Sequence, residues 1–213
     1  LARDNTMAKD SGKVRKLRDD ERGQLTRVMR RAFGWLPSLF FDVGKAAFVY
    51  ELDGEIVGGI TLSSFRIDRR RVGGVVKWLF VLSEARGRGA ASALVERAMT
   101  WFAEEGCSDV FTCVEGHNTN SSNRFARCGF RILPFCEQVK LYGMRLPLIW
   151  FRTFHLVDVG YFLWARRRDD APYAVKEEPT PHALSGAPRL SDAGVAGTTV
   201  TLVLLGLMMV WRM

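Results

Sequence analysis

Glu84–Ala98 reads EARGRGAASALVERA. Two glycines and two arginines stand between an apolar run, Val75–Leu82, and a segment with helical spacing. A tight strand-to-helix turn of this kind leaves main-chain N–H groups bare. The start of the following helix adds partial positive charge, and the two together suit an anion. Glycine and alanine let a phosphate approach the main chain without a Cβ in the way.

Three phosphate-binding patterns compete for this stretch. The nucleotide-triphosphate loop needs GxxxxGK[ST], and no lysine follows Gly89, which excludes it. The dinucleotide fingerprint GxGxxG is matched in part by Gly87, Gly89 and Ser92. That motif belongs in a compact first βαβ unit, whereas about 80 residues precede it here. The third pattern, [Q/R]-x-x-G-x-[G/A], is matched by Arg86, Gly89 and Ala91. Chance alone supplies it roughly a few tenths of a time in a chain of this length, so its surroundings decide.

Working outward, the spacing predicts a mixed α/β domain of about 140 residues. Lys13–Leu17 reads as a short strand and Asp19–Phe33 as a helix, with Leu25, Val28, Met29, Ala32 and Phe33 on one face. Its acidic first turn and its arginines near the end suit the helix dipole. AAFVYEL, Asp53-Gly54 and EIVGGITLSSF predict a hairpin, since Asp-Gly suits a type I′ turn. A second turn is expected near Arg69–Gly74, then a central strand over Val75–Leu82 buried on both faces. Ala90–Glu105 is expected as a helix stopped by Gly106, Asp109–Glu115 as a strand and Ser121–Cys128 as a short helix. A return strand is expected from Gly129 through Tyr142.

The family becomes legible from two segments together. LFVLSEARGRGAASAL (Leu79–Leu94) resembles the pyrophosphate-binding motif A of the GNAT superfamily of N-acetyltransferases. Asn118-x-x-Ser121, with Phe125-x-x-x-Gly129-Phe130, resembles its motif B. The resemblance runs from residue 13 to about 142, about 60% of the chain. It implies the GNAT fold: a central mixed sheet flanked by helices, with splayed parallel strands. It implies acetyl-CoA or another acyl-CoA as co-substrate, and a primary amine as acceptor. Backbone amides from Arg86, Gly87, Arg88, Gly89, Ala90 and Ala91 would cradle the pyrophosphate, with Val81, Leu82 and Ser83 along the pantetheine. Asn118, Ser121 and Phe125 complete the implied acyl-CoA contacts. An N–H near Val81 would stabilise the oxyanion.

Glu115 is the candidate general base, with His117 as its alternative. Each also reads plainly as a loop or surface group. Glu84 falls where the family often carries a non-catalytic acid. At Phe125 the chain departs from the family, which commonly has a tyrosine there to protonate the thiolate. Water, Ser121, Cys128 or Tyr142 would have to serve instead, unless no strong acid is needed. A membrane-attached acyl-CoA sensor or scaffold with little turnover is therefore the alternative reading.

Composition bounds the partners. A formal net charge of +8 favours anions. No zinc-finger spacing, RNA-binding aromatic signature or basic block accompanies it, so no nucleic acid is expected. The four cysteines form no CxxC and no His pair has metal-ligand spacing, so no metal is expected. Thiols in a reduced compartment are the expectation, with a Cys128–Cys136 disulfide as the other option. Dimerisation stays open.

The C-terminal third differs. The division expected is a disordered 1–12, the acetyltransferase domain at 13–145, an aromatic and basic segment at 146–168, a linker at 169–193 and a membrane helix at 194–213. Arg152, His155 and Asp158 recur at spacing three within the aromatic segment, which reads as a last strand with a short helix or as an interfacial helix. Gly194–Trp211 carries no charge over 18 residues, just enough to span a bilayer. CoA chemistry and Arg166–Arg168 then place the domain on the cytoplasmic side of that membrane, or in the cytoplasm if the tail is no anchor. Leu1 is an unusual first residue, which leaves Met7 as a start or the chain as a fragment.

Overall fold

The computed structural model describes residues 12–115, 118–153 and 161–168. They fall into two compact units, residues 1–112 and 113–213.

The first unit is built on a mixed sheet. Strands β1 (Lys13–Lys16), β2 (Ala46–Leu52), β3 (Glu55–Arg66) and β4 (Val72–Val81) pair in that order, all antiparallel. Residues Asp109–Thr112 of β5 (Asp109–Glu115) then pair in parallel with Gly73–Val76 of β4. Asp53 and Gly54 both take left-handed φ values, 53° and 81°, as the tight β2–β3 turn requires.

Helix α1 (Arg22–Phe33) buries Leu25, Val28 and Met29, the i, i+3, i+4 stripe of its sequence. They pack against Ala47, Val49, Ile56, Phe80 and Leu82. A short helix α2 (Trp35–Ser38) follows. Phe48, one residue from Ala47 and Val49, points to the opposite face by strand alternation. There Arg97 of α3 (Ala90–Glu104) lies over its ring at 4.5 Å. Leu94, Val95, Ala98 and Phe102 of α3 are buried. Helices thus cover both faces, which is why β2 is buried at six of its seven positions and reads as a nearly unbroken apolar run. Leu25 and Met29 are fully buried, and each contributes about 1.5–3 kcal/mol of apolar transfer.

Two expectations for this unit need correction. The turn before β4 is Ile67–Arg71, and Gly73 and Gly74 lie inside the strand. A Cβ at Gly73 would strike Phe65, and one at Gly74 would strike Phe102. These glycines admit aromatic rings to the sheet; they do not mark a turn. The first helix also opens as a 3-10 turn, Asp19–Glu21, before α1 begins. Glu21 holds that turn by accepting the Arg18 N–H at 3.0 Å and the Arg15 guanidinium at 2.6 and 2.8 Å.

The second unit contains α4 (Thr119–Arg127), β6 (Arg131–Ile132), α5 (Phe135–Tyr142), α6 (Leu146–Arg152) and β7 (Tyr161–Arg167). Strands β6 and β7 are antiparallel, with Arg131 opposite Ala165 and Ile132 opposite Trp164. The return strand expected through Tyr142 is therefore two residues long. Pro134, with φ −59°, cannot donate to a ladder and instead starts α5. The helix buries Gln138 and Tyr142, four apart on one face. Gln138 is satisfied there: its amide donates to the Leu133 carbonyl at 2.6 Å and accepts the Trp150 indole N–H at 2.8 Å. All four cysteines are thiols, so Cys128 and Cys136 are not joined. Among the described residues no helix is long and apolar enough to cross a membrane. The span expected at 194–213, the linker at 169–193, and His155 and Asp158 of the polar stripe lie outside the described residues.

Candidate functional site

The decisive stretch is a built turn. Leu82 leaves β4 in extended backbone, and Ser83–Ala85 makes one 3-10 turn. Arg86 is extended again at φ −66°, and Gly87 and Gly89 take φ 77° and 79°. Ala85 and Ala90, 0% and 2% exposed, pin the two ends in the core, and Arg86–Gly89 between them is exposed. A Cβ built on Gly87 or Gly89 meets no protein atom within 4 Å. Positive φ demands glycine at these positions, and the space before the bare main chain is open to a ligand.

Helix α3 starts directly on this turn. Its N-cap is Gly89, which has no side chain to bond the first-turn N–H groups. The Ala90 and Ala91 N–H groups, at the first two helical positions, precede the intrahelical ladder. A 15-residue helix whose N-cap offers no side-chain bond, flanked by exposed Arg86 and Arg88, has the charge and open main chain that suit an anion. The residues present therefore fit a pyrophosphate.

The strand leading into the turn adds a second element. Thr61 pairs with Trp78 but Leu62 pairs with Val76, so Lys77 is an extra residue that bulges β4. The described β4–β5 ladder ends at Val76↔Thr112, just before this bulge. Beyond it, the Leu82 N–H donates to the Val57 carbonyl at 2.8 Å. Main-chain groups alternate sides along an antiparallel pair. Leu79 and Val81 therefore turn their N–H and C=O groups away from β3. No local sequence signal marked the bulge; a lysine inside VVKWLFVL was the only irregularity.

Glu84 is engaged structurally. It accepts the Arg31 guanidinium at 2.9 Å and the Ser83 hydroxyl at 3.0 Å. Its own main-chain N–H, then Ser83 and Arg31, hold its carboxyl below the usual range, which suits an ion pair and not a base. Arg31 and Glu84 lie 53 positions apart, and nothing in the sequence joined them.

In the second unit, Asn118 caps α4: its Oδ1 accepts the Ser121 N–H at 3.1 Å. Phe125 is buried, 3% exposed, with its ring edge-on to Phe130 at 5.2 Å. Tyr142 is buried on α5, and the Cys128 carbonyl accepts the Arg166 guanidinium at 3.0 Å. Glu115 ends β5; its side chain and all of His117 lie outside the described residues. Among the described residues no group of three or more His, Cys, Asp or Glu could hold a metal ion.

A model of the acetyltransferase (GNAT) family matches residues 14–130, more than half of the chain. The protein belongs to the GNAT family. The GNAT match spans both the turn before α3 and the Asn118–Phe130 segment. Over 80 residues the chain is 36% identical to an uncharacterized N-acetyltransferase of Archaeoglobus fulgidus. That match takes in 37% of this chain and 52% of the relative, so the chain spans about half the relative's length. Among solved structures it is similar to Arabidopsis thaliana Naa50 in complex with the bisubstrate analogue CoA-Ac-MVNAL. The TM-score is 0.54 and the identity 14%, covering 73% of this chain and 98% of the other. It is also similar to the PaiA N-acetyltransferase of Thermoplasma acidophilum in complex with coenzyme A. There the TM-score is 0.52 and the identity 12%, with 74% and 99% covered. At these identities the likeness shows the GNAT fold.

Proposed function

We propose that the protein is an N-acyltransferase that moves an acetyl group from acetyl-CoA to a primary amine. One observation carries the reading: the uncapped start of α3, with open space before Gly87 and Gly89, follows a strand that turns the Val81 N–H away from its partner. The bound thioester supplies the activated acetyl group. Main-chain N–H groups of Gly87–Ala91 bind the pyrophosphate, and Arg86 and Arg88 add charge. Leu79 and Val81 offer an open strand edge to the pantetheine amides. The Val81 N–H donates to the thioester carbonyl oxygen as negative charge grows on it. The turn's fixed geometry holds the reacting carbon in place for attack. Glu115 is proposed as the base that takes the amine proton; as the C–N bond forms the thioester C–S bond breaks, and coenzyme A leaves as a thiolate that takes its proton from water. Asn118, Ser121 and Phe125 enter as acyl-CoA contacts through the family resemblance.

The test is acetyl-CoA titration by calorimetry, paired with thiol release across an amine panel. Binding with amine-dependent release is expected. Binding without release favours the second reading, an acyl-CoA sensor or scaffold. Phe125 supports that alternative, because a phenyl ring donates no proton.

The proposal includes a membrane anchor at 194–213, with the domain on the cytoplasmic side; the uncharged run Gly194–Trp211 supports it. Removing residues 193–213 is expected to release the protein from the membrane fraction with acetyl-CoA affinity intact. A truncated chain that still sediments with membranes refutes the anchor.

A further inference from the structure

Charge is divided unevenly along the chain. In the second unit, residues 118–153 and 161–168 contain nine arginines and lysines and one carboxylate, Glu137. That excess equals the +8 formal charge of the entire chain. Glu137 is itself engaged, accepting N–H bonds from both terminal nitrogens of Arg131, one of them at 2.7 Å.

Exposed apolar side chains share this basic stretch. Phe135, Val139, Met144 and Phe151 are 61%, 45%, 94% and 47% exposed. Phe135 and Val139 stand one turn apart on α5. The Phe135 ring lies 6.0 Å from that of Trp150 on α6, so the two helices adjoin at this surface. Met144 sits in the single 3-10 turn, Gly143–Arg145, that joins them. Lys140, Arg145 and Arg152 are exposed in the same segment, and no carboxylate is exposed among residues 132–152. A lone exposed apolar residue is ordinary, but apolar groups interleaved with cations make an amphipathic surface.

The chemistry of that surface selects its partner. Positive charge without an answering acid calls for an anionic surface. Four exposed apolar side chains call for one that also receives hydrocarbon. A bilayer containing anionic lipid supplies both, phosphates at the headgroups and acyl chains just beneath. A nucleic acid answers the charge, but it engages side chains by stacking bases on rings, and Val139 and Met144 have none. The sequence adds a third indication. The uncharged run Gly194–Trp211 follows this unit in the chain, and an anchor there would bring the unit to the same bilayer.

We propose that the α5–α6 surface docks on an anionic bilayer. Phe135, Val139, Met144 and Phe151 enter the boundary between headgroups and acyl chains, and Lys140, Arg145 and Arg152 meet lipid phosphates. The inference depends neither on the acyltransferase reading nor on the anchor at 194–213.

The test is hydrogen–deuterium exchange of the full chain on two kinds of vesicle, phosphatidylcholine alone and phosphatidylcholine with about 30% phosphatidylserine. The anionic vesicles are expected to protect residues 135–152, and the neutral vesicles to leave them unprotected, whether or not the tail inserts in both. The variant K140Q/R145Q/R152Q is expected to lose about fivefold of that protection per cation, returning it to the neutral-vesicle value. Met144→Ser is expected to lower it about tenfold, as loss of one apolar side chain from the boundary implies. Neither variant should alter acetyl-CoA affinity. Equal exchange over 135–152 on the two kinds of vesicle overturns the proposal, as does a triple variant protected like the unaltered chain. Protection by a single-stranded oligonucleotide but not by anionic vesicles overturns it in favour of nucleic acid.

Discussion

Three helix starts in this molecule meet the same physical problem in different ways. Each leaves N–H groups without intrahelical partners. At α4 the chain supplies its own acceptor, the Asn118 side chain bonded to the Ser121 N–H. Ahead of α1 the Glu21 carboxylate reaches back to the Arg18 N–H. At α3 the cap is Gly89, and the space before Gly87 and Gly89 is open. The starts of α5 and α6 also lack a side-chain cap; what sets α3 apart, the longest helix among the described residues, is the positive-φ glycine turn before it and the open space that turn leaves. Asn118 stands in one of the two family motifs, yet its described bond is one that any N-cap asparagine makes.

The largest effect should come from Gly89→Val. It forces a β-branched residue to φ 79° and fills the space in front of the amides. Acetyl-CoA affinity is expected to fall about 100-fold or more by calorimetry, because the anion site is blocked and strained. Unchanged affinity would break the comparison at its centre.

Phe125→Tyr comes next. The ring is 3% exposed against Phe130, so a hydroxyl added there costs about 1–3 kcal/mol in thermal or denaturant unfolding unless it finds a partner. No gain in turnover is expected. A sharp gain would show that α4 meets the reacting groups, and that a missing acid limits the rate.

Asn118→Ala should cost about 1 kcal/mol of stability, and Asn118→Ser should recover most of it, since serine also caps. Acetyl-CoA affinity that falls in both variants, against intact stability in the serine form, would assign Asn118 to the ligand as well as to the helix.

The smallest effect concerns pH. The Arg15 guanidinium, then the Arg18 N–H, hold the Glu21 carboxyl at about 2. Arg15, then Lys13, lower that of Glu51. Both folded values lie below the unperturbed 4.5. This contribution to stability is therefore complete above about pH 4.5 and lost as pH falls toward about 2. Arg15→Met should flatten that acid limb in melting temperature against pH; an unaltered limb would show that other carboxylates set it.

What could be read in advance was local. Leu25, Val28 and Met29 declare a helix face by spacing alone, and Asp53-Gly54 declares a turn by its φ requirements. The turn at Arg86–Ala91 was legible because its positive-φ positions demand glycine, and glycine also leaves the main chain exposed. The failures had mixed causes. Gly73 and Gly74 looked like a turn because the rings that need their missing Cβ atoms, Phe65 and Phe102, are brought to them by strand pairing and helix packing. Phe135–Tyr142 was expected as strand although Pro134 ahead of it cannot donate to a ladder, a local signal; the burial of Gln138 there is decided by Leu133 and Trp150.

The sequence by itself determined the family, through two segments that are each legible locally, and the place of the glycine turn with the charge beside it, since each segment rests on residues close to one another in the chain. Tertiary structure decided which N–H groups are available. The direction of the Val81 amide depends on its register against β3, and Lys77 sets that register by bulging the strand. The engagement of Glu84 depends on Arg31, brought to it by the packing of α1 on the sheet. Register and long-range pairing are properties of two segments meeting, so neither segment carries them alone.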